Sequence, residues 1–320
     1  MNATVHPAVA LCCSLHIGEG VLLVIFNSLL LLTILRHEAL RTQKEYIIIG
    51  GLAFTDLVCG LASIPGGYTF LKISYNPALR VAASRRQCFL TAYNLLWLWS
   101  RPCSSVMLLV VSLDRLLVVI DPLMYVGLGE IYGWSMVGGA YTLTGLLYLI
   151  TAYKALQSTE PDVTTWCGAP ESQPETHFAG RARLSLLSSV LSILLYVVLM
   201  LVHRWRQPKV LASLAPSARK EEVKRQHRLV LTMGISCLVT FLLYSLPYVG
   251  ALIGVFVLSP EVGKLFTGWL WPMIMLSMAA NFFVLLAKQR EIKVGLKAFF
   301  LRKTLAPSLG AWKQYKITLF

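Results

Sequence analysis

Seven apolar segments, each long enough to cross a bilayer, follow one another along this chain, and most of the charge lies between them. They read as residues 15–35, 46–70, 89–120, 133–153, 183–205, 228–257 and 265–287. About 20 apolar residues span the hydrocarbon layer as a helix. There the backbone must satisfy its own hydrogen bonds, so such runs are expected to be helical. Hydrophobic residues make up 56% of the 320 and charged residues 14%, against roughly 25% charged in soluble domains. A water-soluble chain of this size could not hide that much apolar surface in one core. The expected fold is an all-α membrane protein, a seven-transmembrane helix bundle. Residues 1–14 form an N-terminal segment, 15–287 the bundle and 288–320 a basic tail. The third segment is long enough to tilt or protrude. No period suggests an array and no linker marks a second domain.

The net charge of +14 would suit nucleic acid if it lay on one folded face. It lies instead in the connections, so no nucleic-acid partner is expected and membrane lipids are. Lys and Arg in connections set orientation. Arg36, Arg41 and Lys44 follow the first segment. Arg204, Arg206, Lys209, Arg219, Lys220, Lys224, Arg225 and Arg228 join the fifth to the sixth, and the tail adds Lys288, Arg290, Lys293, Lys297, Arg302, Lys303, Lys313 and Lys316. All three stretches fall on one side, which predicts a cytoplasmic tail, an outside N-terminus and a multi-pass place in the plasma membrane. The opposite side carries Lys72, Arg80, Arg85 and Arg86 in one connection, which weakens the bias, and Glu160, Asp162, Glu171 and Glu175 in another. Ile292, Leu296 and Phe299 recur at helical spacing among basic residues. That pattern fits a short amphipathic helix on the inner leaflet, the alternative being an unstructured tail. Asn2-Ala3-Thr4 is a glycosylation acceptor at Asn2 that would need an outside N-terminus.

Seven cysteines without a CxxC pair suggest neither a disulfide scaffold nor zinc. Six histidines form no metal-ligand cluster in the segments, and no nucleophile has an adjacent base, so an enzyme is not expected. A transporter, the leading alternative of another class, should show repeated halves and a polar path. Asp56 and Arg101 alone near mid-membrane are poor material for one. A carboxylate in mid-membrane is costly and marks a functional position by default, unless protonation or a hydrogen-bond network neutralises it.

Asp114-Arg115-Leu116, with Val119, Pro122 and Tyr125 behind it, closes the third segment. Leu52-Ala53-Phe54-Thr55-Asp56 stands in the second, Asn27 in the first, Phe241 six residues before Pro247 in the sixth, and Asn281-Phe282-Phe283-Val284 in the seventh. This set resembles the signatures of rhodopsin-like (class A) G-protein-coupled receptors over roughly residues 15 to 300. The last motif and the relaxed Asp-Arg tail look like those of divergent nematode serpentine chemosensory receptors. The resemblance implies a receptor that binds an extracellular ligand and activates a heterotrimeric G protein, with Asp114 and Arg115 coupling to it. It places Trp97, Arg101, Tyr248 and Trp271 around the ligand, and joins Asp56, Ser104, Ser277 and Asn281 about a sodium ion, the one cofactor expected. It also pairs Cys88 with Cys167, with Cys88 about two residues farther from Arg115 than the family pattern has it. Cys59, Cys103 and Cys237 read as buried apolar fillers.

Several positions depart from the pattern. Leu116 replaces the tyrosine after Asp-Arg, Ser245 the switch tryptophan, and Phe282 and Leu285 the proline and tyrosine of the seventh helix. His227 stands where an acidic partner for Arg115 often occurs, and Trp134 is the only stand-in for the fourth-helix tryptophan. A receptor-shaped partner that no longer signals is therefore a further alternative. Trp97 sits where amine receptors carry their aspartate and Met275 where opsins carry their lysine, which argues against both classes. The cavity that remains is aromatic with one cation, suited to an acidic or polarised small molecule. Arg101 lies one helical turn from Ser104. It would pair with Asp56 in place of sodium, point into the ligand cavity, or turn to polar backbone near Pro102.

Overall fold

The computed structural model describes residues 7–213, 235, 238–246, 249, 260–288 and 290–301. Asn2, His227, Cys237, Pro247, Tyr248 and the tail beyond residue 301 lie outside the described residues.

The first five apolar segments are helices: α1 (Pro7–Arg36), α3 (Lys44–Tyr75), α5 (Ala92–Ile120), α7 (Glu130–Gln157) and α8 (Glu175–Ser213). All five are long and apolar enough to span a membrane. Short helices sit in the connections: α2 (Glu38–Arg41), α4 (Arg85–Phe89) and α6 (Pro122–Gly127). The seventh segment is α9 (Pro260–Lys288), and α10 (Arg290–Phe300) follows it, turned by 89°. Of the sixth, the described part includes a π-helical turn over Phe241–Ser245.

Several bounds move from those expected. Helix α1 reaches back to Pro7, the first described residue, rather than starting near residue 15. The third segment starts at Ala92 rather than residue 89. Ser84 and Gln87 form a capping box that sets off α4 as a separate helix, and the break at Leu90–Thr91 takes up the extra residues between Cys88 and Arg115. Helix α8 starts eight residues earlier than expected, which brings Arg181 inside it.

Helix α3 is the most buried of the spans and packs against α1, α5 and α7, while α5 also meets α7 and α8, and α9 meets α1. Leucines, valines and aromatics that would be costly in water line the outside, such as Ile131, Trp134, Leu146 and Leu149 on α7. Trp134, 62% exposed, thus faces lipid. Buried hydroxyls turn back on their own helices: Thr33 to Leu29 O, Ser63 to Cys59 O, Thr144 to Ala140 O and Thr151 to Leu147 O. Between helices the bonds are few, Tyr141 donating to Gly51 O at 2.7 Å among them.

Close approach of α1 and α3 depends on two glycines, as small residues let membrane helices meet. A Cβ at Gly60 would lie 2.8 Å from the Leu23 Cβ and 2.9 Å from the Gly20 carbonyl oxygen. Helix α10 docks at the far end of α1, where His37 Nε2 lies 3.1 Å from Gly295 O and Arg36 stacks over the Phe299 ring at 5.5 Å. Gly60→Val should therefore force the two helices apart and cost about 1–3 kcal/mol, read as a lower Tm of the purified protein. Gly18→Val, where a Cβ meets nothing within 4 Å, is the matched control.

Candidate functional site

The polar side chains inside the bundle fall into three layers. At one end, the Cys88–Cys167 disulfide ties α4 to the connection before α8, with Cα atoms 4.8 Å apart. Two residues of each connection also pair as antiparallel strands, β1 (Ala82–Ala83) and β2 (Val163–Thr164). Arg85 Nε meets Asp162 at 2.8 Å and Arg80 stacks over Trp166 at 4.8 Å. Two of the four basic residues that blurred the charge bias thus answer an acidic and an aromatic residue of the facing connection. Asn94 carries more of this layer than its sequence suggested: its Nδ2 donates to both Cys88 O and Cys167 O at 2.9 Å. It thereby supports Cys167 in a left-handed backbone conformation, φ 48°, which costs energy for any residue with a Cβ.

Below the disulfide sits Trp97, 3% exposed. Its ring packs edge-on to His16 at 5.0 Å and Tyr93 at 5.5 Å, and its Nε1 donates to Ser63 Oγ at 3.2 Å. Gly66 makes the room, since a Cβ there would come within 2.6 Å of the indole. The Arg101 guanidinium lies over the Trp97 ring at 4.2 Å, a cation–π arrangement. Trp97 is therefore packed core that supports Arg101. Trp271 lies on α9 one turn before Met275, which sits 3.6 Å from Ser63 Oγ. Tyr248, the fourth residue expected here, is outside the described residues.

In the middle layer Ser104 Oγ donates to Asp56 Oδ1 at 2.6 Å. The ion pairs of the described residues are Arg85–Asp162 and Arg115–Asp114, so Asp56 does not pair with Arg101. A cavity little larger than one water lies beside Asp56, lined by Asn27, Asn281, Phe282 and aliphatic side chains. Asp56, Ser104 and Asn281 thus come together, and Asn27 joins them. Ser277 is buried one turn away on α9 and does not line this cavity.

At the other end stands the Asp-Arg pair. Asp114 is 1% exposed, with Arg115 Nε 3.7 Å from its Oδ2. Tyr125 OH on α6 donates to Asp114 Oδ1 at 3.1 Å. Burial, and after it the Asp114 charge, pushes that phenol far above its ordinary range, so it stays a donor. Lys44 on α3 donates to Tyr125 O and, at 2.7 Å, to Leu128 O, and its Nζ sits 3.9 Å over the Tyr125 ring. Lys44 counted in the sequence only toward the basic side. Its role in clamping this connection had no signal there.

A helical bundle with a disulfide lid at one end and a buried Asp-Arg pair at the other defines a seven-transmembrane receptor. The chain belongs to the serpentine type 7TM GPCR chemoreceptor family Srsx, whose model matches residues 21–300. No curated protein matches it significantly. Within this frame Tyr125 and Asp114 should behave as a coupled pair. In a double-mutant cycle of Tyr125→Phe and Asp114→Asn, thermal melts should give an interaction of about 1.5–3 kcal/mol, as for a buried hydrogen bond to a charged group. Additive losses would show the contact to be idle.

Proposed function

We propose that this receptor lies in the plasma membrane with its N-terminus and disulfide end outside. An extracellular ligand then drives it to activate a heterotrimeric G protein through Arg115, in a chemosensory role. The observation that carries this is the Asp114–Arg115 pair held by Tyr125. A carboxylate that accepts from Tyr125 and pairs with Arg115 at 3.7 Å keeps the guanidinium folded against its own helix, the Arg115 side chain being only 11% exposed. An opened cytoplasmic end would release it toward a partner. With His227 in place of an acidic residue, this restraint works within α5, α6 and α3.

Nucleotide exchange by a panel of G proteins, in membranes holding wild type or Arg115→Ala, tests this. Exchange driven by a chemical library should appear in the wild type and be lost in the variant at equal surface expression. A wild type that drives no exchange, or a variant that keeps it, would turn the reading to a non-signalling partner.

The same reading puts a sodium ion in the middle layer. The donors are hard oxygens: the Asp56 carboxylate and the Asn27 and Asn281 amides line a small cavity, and the Ser104 hydroxyl is bonded to Asp56 beside it. Oxygen donors of this kind suit a hard cation. Asp56 and Ser104 would hold it, with Asn27 and Asn281 completing the shell. The bound charge would compensate the buried carboxylate and stiffen α3 against α5 and α9. Replacing choline by sodium at constant ionic strength should raise the Tm of the wild type and leave that of Asp56→Asn unchanged. A sodium effect that survives in the variant would remove the ion from this site.

A further inference from the structure

Lys44 stands apart from the other basic residues at the Arg115 end of the bundle. Arg36 and Arg41 are exposed, as long charged side chains usually are, while Lys44 is only 8% exposed. Helix α7 lies against its backbone: a Cβ at Gly133 would come within 3.0 Å of Lys44 O and 3.2 Å of its Cα. The side chain reaches the end of α6, where Tyr125 O and Leu128 O accept from its ammonium. The same ammonium sits 3.9 Å over the Tyr125 ring. Lys44 thus holds the face and the carbonyl of the tyrosine whose hydroxyl donates to Asp114 at 3.1 Å.

Helix α6 depends on such help. It has six residues, and isolated helices shorter than about 12–15 residues are marginal in water. Asp121 secures the first turn, its Oδ1 accepting from Met124 N at 2.9 Å, with Pro122 at the first helical position. The last carbonyls of a helix have no helical donors left to them, and the helix dipole favours a cation beside them. Lys44 supplies the donors and the charge together. A polar chain therefore runs from Lys44 on α3 to α6, from Tyr125 to Asp114 on α5, and from Asp114 to Arg115 at 3.7 Å. Loosening the first link lets the later ones go.

We propose that Lys44 is a positioning residue for Arg115. It latches α6 in the place that keeps the Arg115 guanidinium against Asp114, and so holds down signalling in the absence of ligand. It acts through Tyr125. The latch is one that a receptor can break, since a hydrogen bond to a charged group is worth about tenfold in a two-state equilibrium. A lysine that only filled a gap could be replaced by methionine, unbranched like it, with neither α6 nor ligand-free signalling changed.

The effect on signalling rests on the receptor reading, so the test has one arm that needs no G protein. In that arm the full-length protein in nanodiscs is followed by amide hydrogen exchange. Lys44→Met should speed exchange over residues 124–128 by about tenfold. Lys44→Arg, which keeps the charge and the donors, should speed it less. Arg41→Met, which removes an exposed charge from the same connection, should change nothing there. In the other arm nucleotide exchange by the G-protein panel is measured without ligand at equal surface expression. Lys44→Met should raise it about threefold or more above wild type. Lys44→Met combined with Tyr125→Phe should rise no higher than the larger single variant, since both break one chain. Unchanged amide protection of α6 in Lys44→Met overturns the proposal outright. So does a loosened α6 with ligand-free signalling at or below wild type, in a receptor that the chemical library does activate. Helix α6 would then be a surface the G protein needs and not a restraint. A loosened α6 in a protein that drives no exchange in any form would keep the latch and sink the coupling.

Discussion

A polar group inside the hydrocarbon layer cannot fall back on water, so each must find its partner within the protein or carry a cost of several kcal/mol. This constraint sorts the polar side chains of the bundle. Several hydroxyls close back on a carbonyl of their own helix. A few reach across, and those set the packing: Ser104 to Asp56 joins α5 to α3, Tyr141 to Gly51 joins α7 to α3, and Ser112 to Ser192 joins α5 to α8. Helices α3 and α5 are the hub because they hold the ends of these bonds. The same sorting isolates Arg181 and His16, whose buried nitrogens find no partner among the described residues.

The two ends of the bundle obey different physics. At the disulfide end the connections are joined covalently and by a two-residue strand pair, with Asn94 bracing both cysteine carbonyls from below. Such an end can shape a pocket and change little. At the Arg115 end the restraints are all polar and reversible: a lysine on carbonyls, a tyrosine on a carboxylate, a carboxylate near a guanidinium. Each of these is worth a few kcal/mol at most, within reach of what a ligand's differential binding can supply. A rigid mouth and a breakable base are what transmission from one side to the other requires.

Much of this was legible in the sequence, and what was not has a physical reason. Segment length and hydropathy gave the spans because the bilayer imposes both, and the Asp-Arg, Leu-Ala-x-x-Asp and cysteine positions gave the family. Helix starts were less legible: α1 reaches back to Pro7 and α8 begins at Glu175, since apolarity marks the hydrocarbon and a helix does not stop at its edge. That is why Arg181 looked like part of a connection. Lys44, Asn94 and Gly66 carried no signal at all. Their roles come from what lies opposite them in space, and a side chain that bonds a distant carbonyl leaves no trace in its own neighbourhood of the chain.

The departures in the seventh helix have a structural consequence of their own. Phe282 stands where the family has a proline, and its ring stacks on Phe26 of α1 at 4.7 Å with the planes nearly parallel, while Phe283 meets Phe26 edge-on at 4.9 Å. A proline there would free a backbone carbonyl and offer a pivot. Phe282 instead keeps its N–H and fills the groove between α9 and α1 beside the Asp56 cavity. Movement of α9 against α1 must therefore unstack an aromatic cluster and reshape that cavity together. The neighbouring sixth helix holds a different kind of give: a π-helical turn over Phe241–Ser245, with Ser245 in place of the bulky switch residue and its buried hydroxyl without a described partner. A widened turn can slip back to a regular one by a small shift of register.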